Sequence, residues 1–123
     1  MIKFPSDVEI QRKLTHAFIQ TQPVVIQLIP RSYEQQPAGG STWIEQTPRE
    51  PQVLRLVEPS NSAPTPVTTA DGIEREVEFM LLGEWDAQIG QNDIFTYMNL
   101  HWEVVQLAHF NGWERRASVA RYG

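Results

Sequence analysis

The stretch that constrains this chain most is residues 101–122, HWEVVQLAHFNGWERRASVARY, where two alternating runs meet at Asn111-Gly112. A two-residue type I′ loop needs positive φ at both central positions, and Asn-Gly adopts that with least strain. The pattern predicts one β-hairpin with Phe110 facing Trp113, Ala108 facing Arg115, Gln106 facing Ala117, Val104 facing Val119 and Trp102 facing Arg121. One face then carries Trp102, Val104, Ala108, Phe110, Trp113, Ala117 and Val119. The other carries His101, Glu103, His109, Glu114, Arg116 and Tyr122, with Val105 and Leu107 as apolar exceptions. Side chains alternate across a strand, so the first set reads as a core face and the second as a mixed face. Val105 and Leu107 on the mixed face are candidates for a second contact, with another subunit.

At 123 residues the chain suits one domain, 1–123, with a modest core. An apolar fraction of 41% with four Trp argues for a folded protein. The absence of cysteine removes disulfides, thiolate metal sites and cysteine catalysis. The N-terminal Met1-Ile2-Lys3-Phe4-Pro5-Ser6-Asp7 has no signal-type apolar run, so secretion is not expected. No apolar run is long enough to span a bilayer, and no membrane partner is expected. A net charge of −5 disfavours a surface built to grip nucleic acid. The charge is uneven: residues 1–31 carry Lys3, Arg12, Lys13 and Arg31 against Asp7 and Glu9, net +2, which leaves −7 on residues 32–123.

Ser6 with Glu9 forms a capping box that opens a helix over 6–21, and Pro23 closes it. Ile10, Leu14, Ala17 and Phe18 recur at helical spacing, which predicts an apolar stripe for the core. His16 lies off that stripe, on the solvated side. Val24 to Ile29 is a β-branched strand ended by Pro30. Residues 32–52, punctuated by Pro37, Gly39, Gly40, Pro48 and Pro51, are long for a connection and read as a projecting arm or hairpin with Ser41–Glu45 as a strand. Trp43 and Ile44 on such an arm are costly to leave in water, so they are candidates for inter-subunit docking; the alternative is that they fold back on their own core. Gln52 to Glu58 is the next strand. Residues 59–70 make a Pro/Ser-rich loop. Ile73 to Leu82 alternate as one long strand whose outer row is Glu74, Glu76 and Glu78, ended by Gly83. Gly90 to Asp93 is a turn, Ile94 to Tyr97 a strand, and Met98-Asn99-Leu100 turns into the hairpin. One helix and about six or seven strands predict a mainly β fold, a small antiparallel barrel or sandwich.

No chemical site emerges. At about 3.3 Å per residue His101 and His109 lie some 26 Å apart and cannot share a metal. Ser118 has no neighbouring base and no Gly-x-Ser-x-Gly elbow. Glu84, Asp86 and Asp93 match no EF-hand spacing, and Gly39-Gly40 and Gly83 form no phosphate loop. No catalytic residue, cofactor or metal is expected. A nucleic-acid reader is the other class weighed, because Trp102, Phe110 and Trp113 share a face with Arg115 and Arg121.

The ordered set Ile26-Gln-Leu-Ile-Pro-Arg31, Gly39-Gly40 before Trp43, Arg55-Leu-Val-Glu-Pro59, Asp71-Gly-Ile-Glu74, Leu81-Leu-Gly-Glu-Trp-Asp-Ala87 and Asn111-Gly-Trp-Glu-Arg-Arg-Ala117 resembles the head-to-tail stopper, or head-closure, proteins of long-tailed phages of actinobacteria. The resemblance runs from about residue 8 to the C-terminus, and none of its motifs is catalytic. It departs from the family at residues 90–102, where a turn richer in Gly or Asp is expected. It implies a β-barrel subunit that forms a ring in the virion neck, hexameric rather than dodecameric, after synthesis in the host cytoplasm. That ring sits between the portal-adaptor protein and the tail terminator, retains packaged double-stranded DNA and lets the tail attach. A loop reaching into the channel is implied, from Gln35–Pro51 or Ser60–Ala70. An acidic wall lets a duplex slide without sticking, because each Lys or Arg contact adds grip. Glu45, Glu50, Glu74, Glu76 and Glu78 are the candidates for it. The alternative is a stand-alone OB-like or SH3-like barrel that binds nucleic acid or a peptide.

Overall fold

The computed structural model describes residues 7–58 and 66–122. In chain order the elements are α1 (Asp7–Thr21), β1 (Val24–Ile26), β2 (Arg31–Gln35), β3 (Ser41–Glu45), β4 (Gln52–Val57), β5 (Pro66–Thr68), β6 (Glu74–Glu76), β7 (Phe79–Glu84), β8 (Ile94–Tyr97), β9 (Leu100–Leu107) and β10 (Glu114–Arg121). Six of the strands form one antiparallel sheet in the order β1-β4-β7-β10-β9-β8. The two ends of that sheet meet at a single bridge, Ile29 to Ile94, whose amides and carbonyls exchange bonds of 2.9 and 3.0 Å. The result is a nearly closed barrel, the expected mainly β class with one N-terminal helix.

The core fills the barrel. Ile26, Leu28, Leu54, Leu81, Phe95, Trp102, Val104, Ala117 and Val119 pack together inside it. They come from alternate positions of neighbouring strands, as strand geometry requires. Gly83 lies within β7 rather than ending it. A Cβ there would sit 2.7 Å from Ala87 Cβ and 2.9 Å from Leu54 Cδ2, so the side chain is absent to let the β7–β8 connection cross.

The hairpin of β9 and β10 departs from the predicted register in its upper half. Val104 faces Val119 and Trp102 faces Arg121 as expected, but Gln106 faces Ser118 and Leu107 faces Ala117. Val105 is the extra residue, a β-bulge that shifts the pairing by one. Beyond the bulge the facing reverses, and Ala108 and Phe110 are exposed rather than in the core. The turn is correspondingly wider than two residues. Gly112 has φ 97°, but Asn111 keeps negative φ and uses its side-chain oxygen to accept from the amides of Trp113 and Glu114. Two consecutive left-handed residues occur instead at Met98 (φ 52°) and Asn99 (φ 62°), which join Tyr97 to its partner Leu100.

Two further expectations change. The strand predicted over Ile73 to Leu82 is two strands: β6 pairs with β5 in a separate hairpin, and β7 belongs to the barrel. Val77 turns inward between them, against Val105 and Ala120 on the outer face of β9 and β10. The helix also faces the other way. It lies against the outside of β4 and β7 with Thr15 and Ile19 buried, while Ile10, Leu14, Ala17 and Phe18 face out. Ser6, the predicted cap, and residues 59–65 of the predicted loop lie outside the described residues; Pro66–Thr68 of that loop is β5.

Candidate functional site

The projecting arm expected over residues 32–52 is the β2–β3 hairpin, turned by Gly39 and Gly40 at positive φ. Its strands pair only with each other. Alternation gives the hairpin two faces. Arg31, Tyr33, Trp43 and Glu45 share one, and this face turns toward the body. Ser32, Glu34, Thr42 and Ile44 share the other, and Ile44 is 38% exposed there. Residues 46–51 return along the barrel rather than extending the arm. Gln46 N donates to Pro30 O (2.8 Å), Arg49 N to Leu28 O (2.8 Å), and Arg49 Nε pairs with the buried Asp93 at 2.8 Å.

The root of the arm is a buried charged cluster. Glu103, on the outer face of β9, is fully buried. Its carboxylate lies 2.8 Å from Arg31 Nη2 on the arm and 3.0 Å from Arg75 Nε on β6. Arg31 also donates from Nε to Asn92 O (2.8 Å), and its guanidinium lies 3.8 Å over the Trp43 ring. Trp43 Nε1 donates to Asp71 Oδ2 at 3.3 Å, and Tyr33 packs against Trp43 with ring centroids 4.9 Å apart. Burial pushes the Glu103 carboxyl above its ordinary range, against the opposing pull of Arg31 and Arg75. Asp71 moves the other way. Burial alone would raise it, but bonds from Thr69, the Ile73 amide and Trp43, with the Arg75 charge, hold it below the usual range. Two acids thus face two guanidiniums contributed by the arm, the β5–β6 hairpin and the barrel. The cluster fixes the direction in which the arm leaves the body.

The candidate channel acids separate into two groups. Glu45, Glu50, Glu74 and Glu76 are exposed. Glu78 is committed to Arg121, which bonds both its oxygens at 2.9 Å. The four docking candidates separate too. Ile44 and Leu107 are exposed, with Leu107 at the upper end of β9. Trp43 is half-buried against Arg31 and Asp71 of its own chain. Val105 is buried beneath Val77 of its own chain, because the bulged strand is covered by the β5–β6 hairpin. Of the second contact predicted for the mixed face, the Val105 part is made within the chain, and Leu107 is left exposed.

The aromatic platform weighed for nucleic acid is dispersed: Trp102 is in the core, Arg121 is held by Glu78, and Phe110 stacks on Arg115 (3.9 Å) at the far end of the hairpin. His101 and His109 are exposed, and His16 contacts Glu84 at 2.9 Å. Among the described residues no three His, Asp or Glu side chains are grouped to hold a metal ion, and no helix is long and apolar enough to cross a membrane. At one mouth of the barrel an apolar cavity of about 500 Å³ lies between Val24, Leu56, Phe79, Tyr97, Leu100 and Trp102, with the Glu78–Arg121 pair at its rim. The Glu103 cluster was missed from the sequence. Its one signal was a lone acid inside the apolar run Trp102-Glu103-Val104-Val105. No protein-family model matches the chain, and no curated protein is similar to it.

Proposed function

We propose that this protein is a ring-forming subunit of a long-tailed phage neck, a head-to-tail stopper placed between the portal-adaptor assembly and the tail terminator. The observation that carries the reading is a hairpin arm that pairs with nothing else in its own sheet, anchored at its root by the Glu103 cluster. An arm held in a set direction is suited to a neighbour at a set rotation, and repeated head-to-tail contacts of that kind close into a ring. The apolar stripe of α1 adds a second uncovered surface. The exposed acids Glu45, Glu50, Glu74 and Glu76 suit a lumen through which a duplex passes, since like charge adds no grip on phosphate. Sequence-independent passage of double-stranded DNA is the expected relation to nucleic acid.

The test is the protein content of purified particles of the encoding phage. Quantitative mass spectrometry should find this chain at about six copies per virion, the number of one closed ring. Its absence from particles would end the neck reading. A second reading, a binding module for an extended peptide, is favoured by the apolar cavity at the barrel mouth. It predicts a monomer that captures a peptide through one aromatic or aliphatic side chain, with capture lost in Leu56→Glu.

A further inference from the structure

The apolar stripe of α1 points away from the barrel it sits on. Ile10, Leu14 and Phe18 are 44%, 58% and 44% exposed, while the face beneath is held by Thr15 and Ile19. The stripe does not end with the helix. The Phe18 ring lies 3.8 Å from the Arg55 guanidinium, and Arg55 also binds Phe18 O and Thr21 Oγ1. Two residues along the same face of β4 is Val53, directly opposite Val25 on β1, and both are exposed. The helix stripe and the Val25–Val53 pair thus form an exposed apolar strip interrupted by Arg55, and clustered exposed apolar residues mark an interaction site.

We infer that this strip is the seat for the β2–β3 arm of a second copy of this chain. The inference rests on the ring reading above and names the surface it would use. Charge selects the occupant. Lys13 is exposed beside the stripe, whereas Arg12 is engaged with Gly112 O and the Trp85 ring; on the arm Glu34 lies on the free face, and Glu45 on the face turned toward the body. The arm's free face offers Ile44 beside Glu34, an apolar residue and an acid, which matches Leu14 beside the exposed Lys13. The arm cannot reach this strip in its own subunit while its root is held by Glu103 on the opposite outer face of the barrel. A contact of strip to arm is heterologous: it leaves each copy with one strip and one arm free for the next, which is how rings grow.

The experiment is sedimentation of the purified full chain over rising concentration, for wild type and four variants. Wild type should self-associate. Leu14→Glu should weaken association at least about tenfold by placing a charge in the apolar seat. Lys13→Glu and Glu34→Lys should each weaken it severalfold by setting like charges together, and the Lys13→Glu/Glu34→Lys chain should regain it. Equimolar mixing of the two single variants should also restore association, because alternating copies then pair opposite charges at every contact. All these positions are exposed, so the melting temperature of each variant at low concentration should match wild type. Wild type that stays monomeric, or association indifferent to Leu14→Glu, overturns the inference. So does weakening by helix variants with none from Glu34→Lys, which would mean a helix-on-helix contact. Copy number in virions is read separately, so failure of this contact and failure of the neck reading are distinct results.

Discussion

The outside of the barrel is finished in two different ways. Over β9 and β10, the β5–β6 hairpin and the arm root seal the sheet with Val77, Val105 and Ala120 and with a carboxylate held between two guanidiniums. Over β4 and β7, a helix of good amphipathic pattern lies with its apolar stripe in water. The first face contains the more expensive group, a buried charge, yet it is the covered one, with that charge paired to two guanidiniums. The second presents a stripe of apolar groups and is uncovered. The contrast teaches that residue type does not decide which surface is complete; the presence of partners does.

That contrast can be broken from either side. The largest effect is expected at Glu103. Replacing it with Ala leaves Arg31 and Arg75 facing each other without their carboxylate, and should cost about 4 kcal/mol in urea unfolding. The same substitution should loosen the arm, seen as faster amide exchange at Ser41–Glu45. Next come two leucines. Leu81→Ala inside the barrel should cost about 3 kcal/mol, since it empties a fully buried site. Leu14→Ala on the helix should change the stability of the dilute protein by no more than about 0.5 kcal/mol. Equal losses at Leu81 and Leu14 would mean that the stripe is already covered in the dilute protein.

The two acids of the sealed face should respond to pH with opposite signs. Asp71 has a folded pKa below its ordinary 3.8. Its contribution is therefore complete above that pH and is lost as pH falls through the folded value. The stability gap between wild type and Asp71→Asn, about 2 kcal/mol at neutral pH, should close in that acid range. Glu103 has a folded pKa above its ordinary 4.5, so the native state binds its proton more tightly than the unfolded chain. Stability from this group rises as pH falls through its folded value toward 4.5, and Glu103→Gln should abolish that rise. A smaller gain is expected at Met98, an exposed residue held at φ 52°. Met98→Asn should add about 1 kcal/mol to the melting free energy, because Asn tolerates the left-handed region better.

Much of the fold was legible because strands announce themselves locally. The alternation at Gln52 and the isolated Ile94 to Tyr97 lie where their residues placed them, and the β-branched run at Val24 starts a strand that stops at Ile26 rather than running to Ile29. The arm was legible from its punctuation by Pro and Gly. Register was legible only up to Val105, because a bulge depends on how two strands meet rather than on either strand's composition. Periodicity revealed a stripe on α1 but carries no information on which way that stripe points. Alternation places Glu103 on the mixed face of the hairpin but does not reveal that it is buried there. Its burial depends on Arg31 and Arg75, which are remote in the chain and are brought together by topology alone.

Cryo-microscopy of intact particles, with the neck reconstructed on its own, tests the account most directly. It should resolve a ring of these barrels at the junction beneath the capsid, each arm lying across the helix of the next copy. Density at that junction with no such ring, or a ring whose arms stay folded on their own subunits, would contradict it.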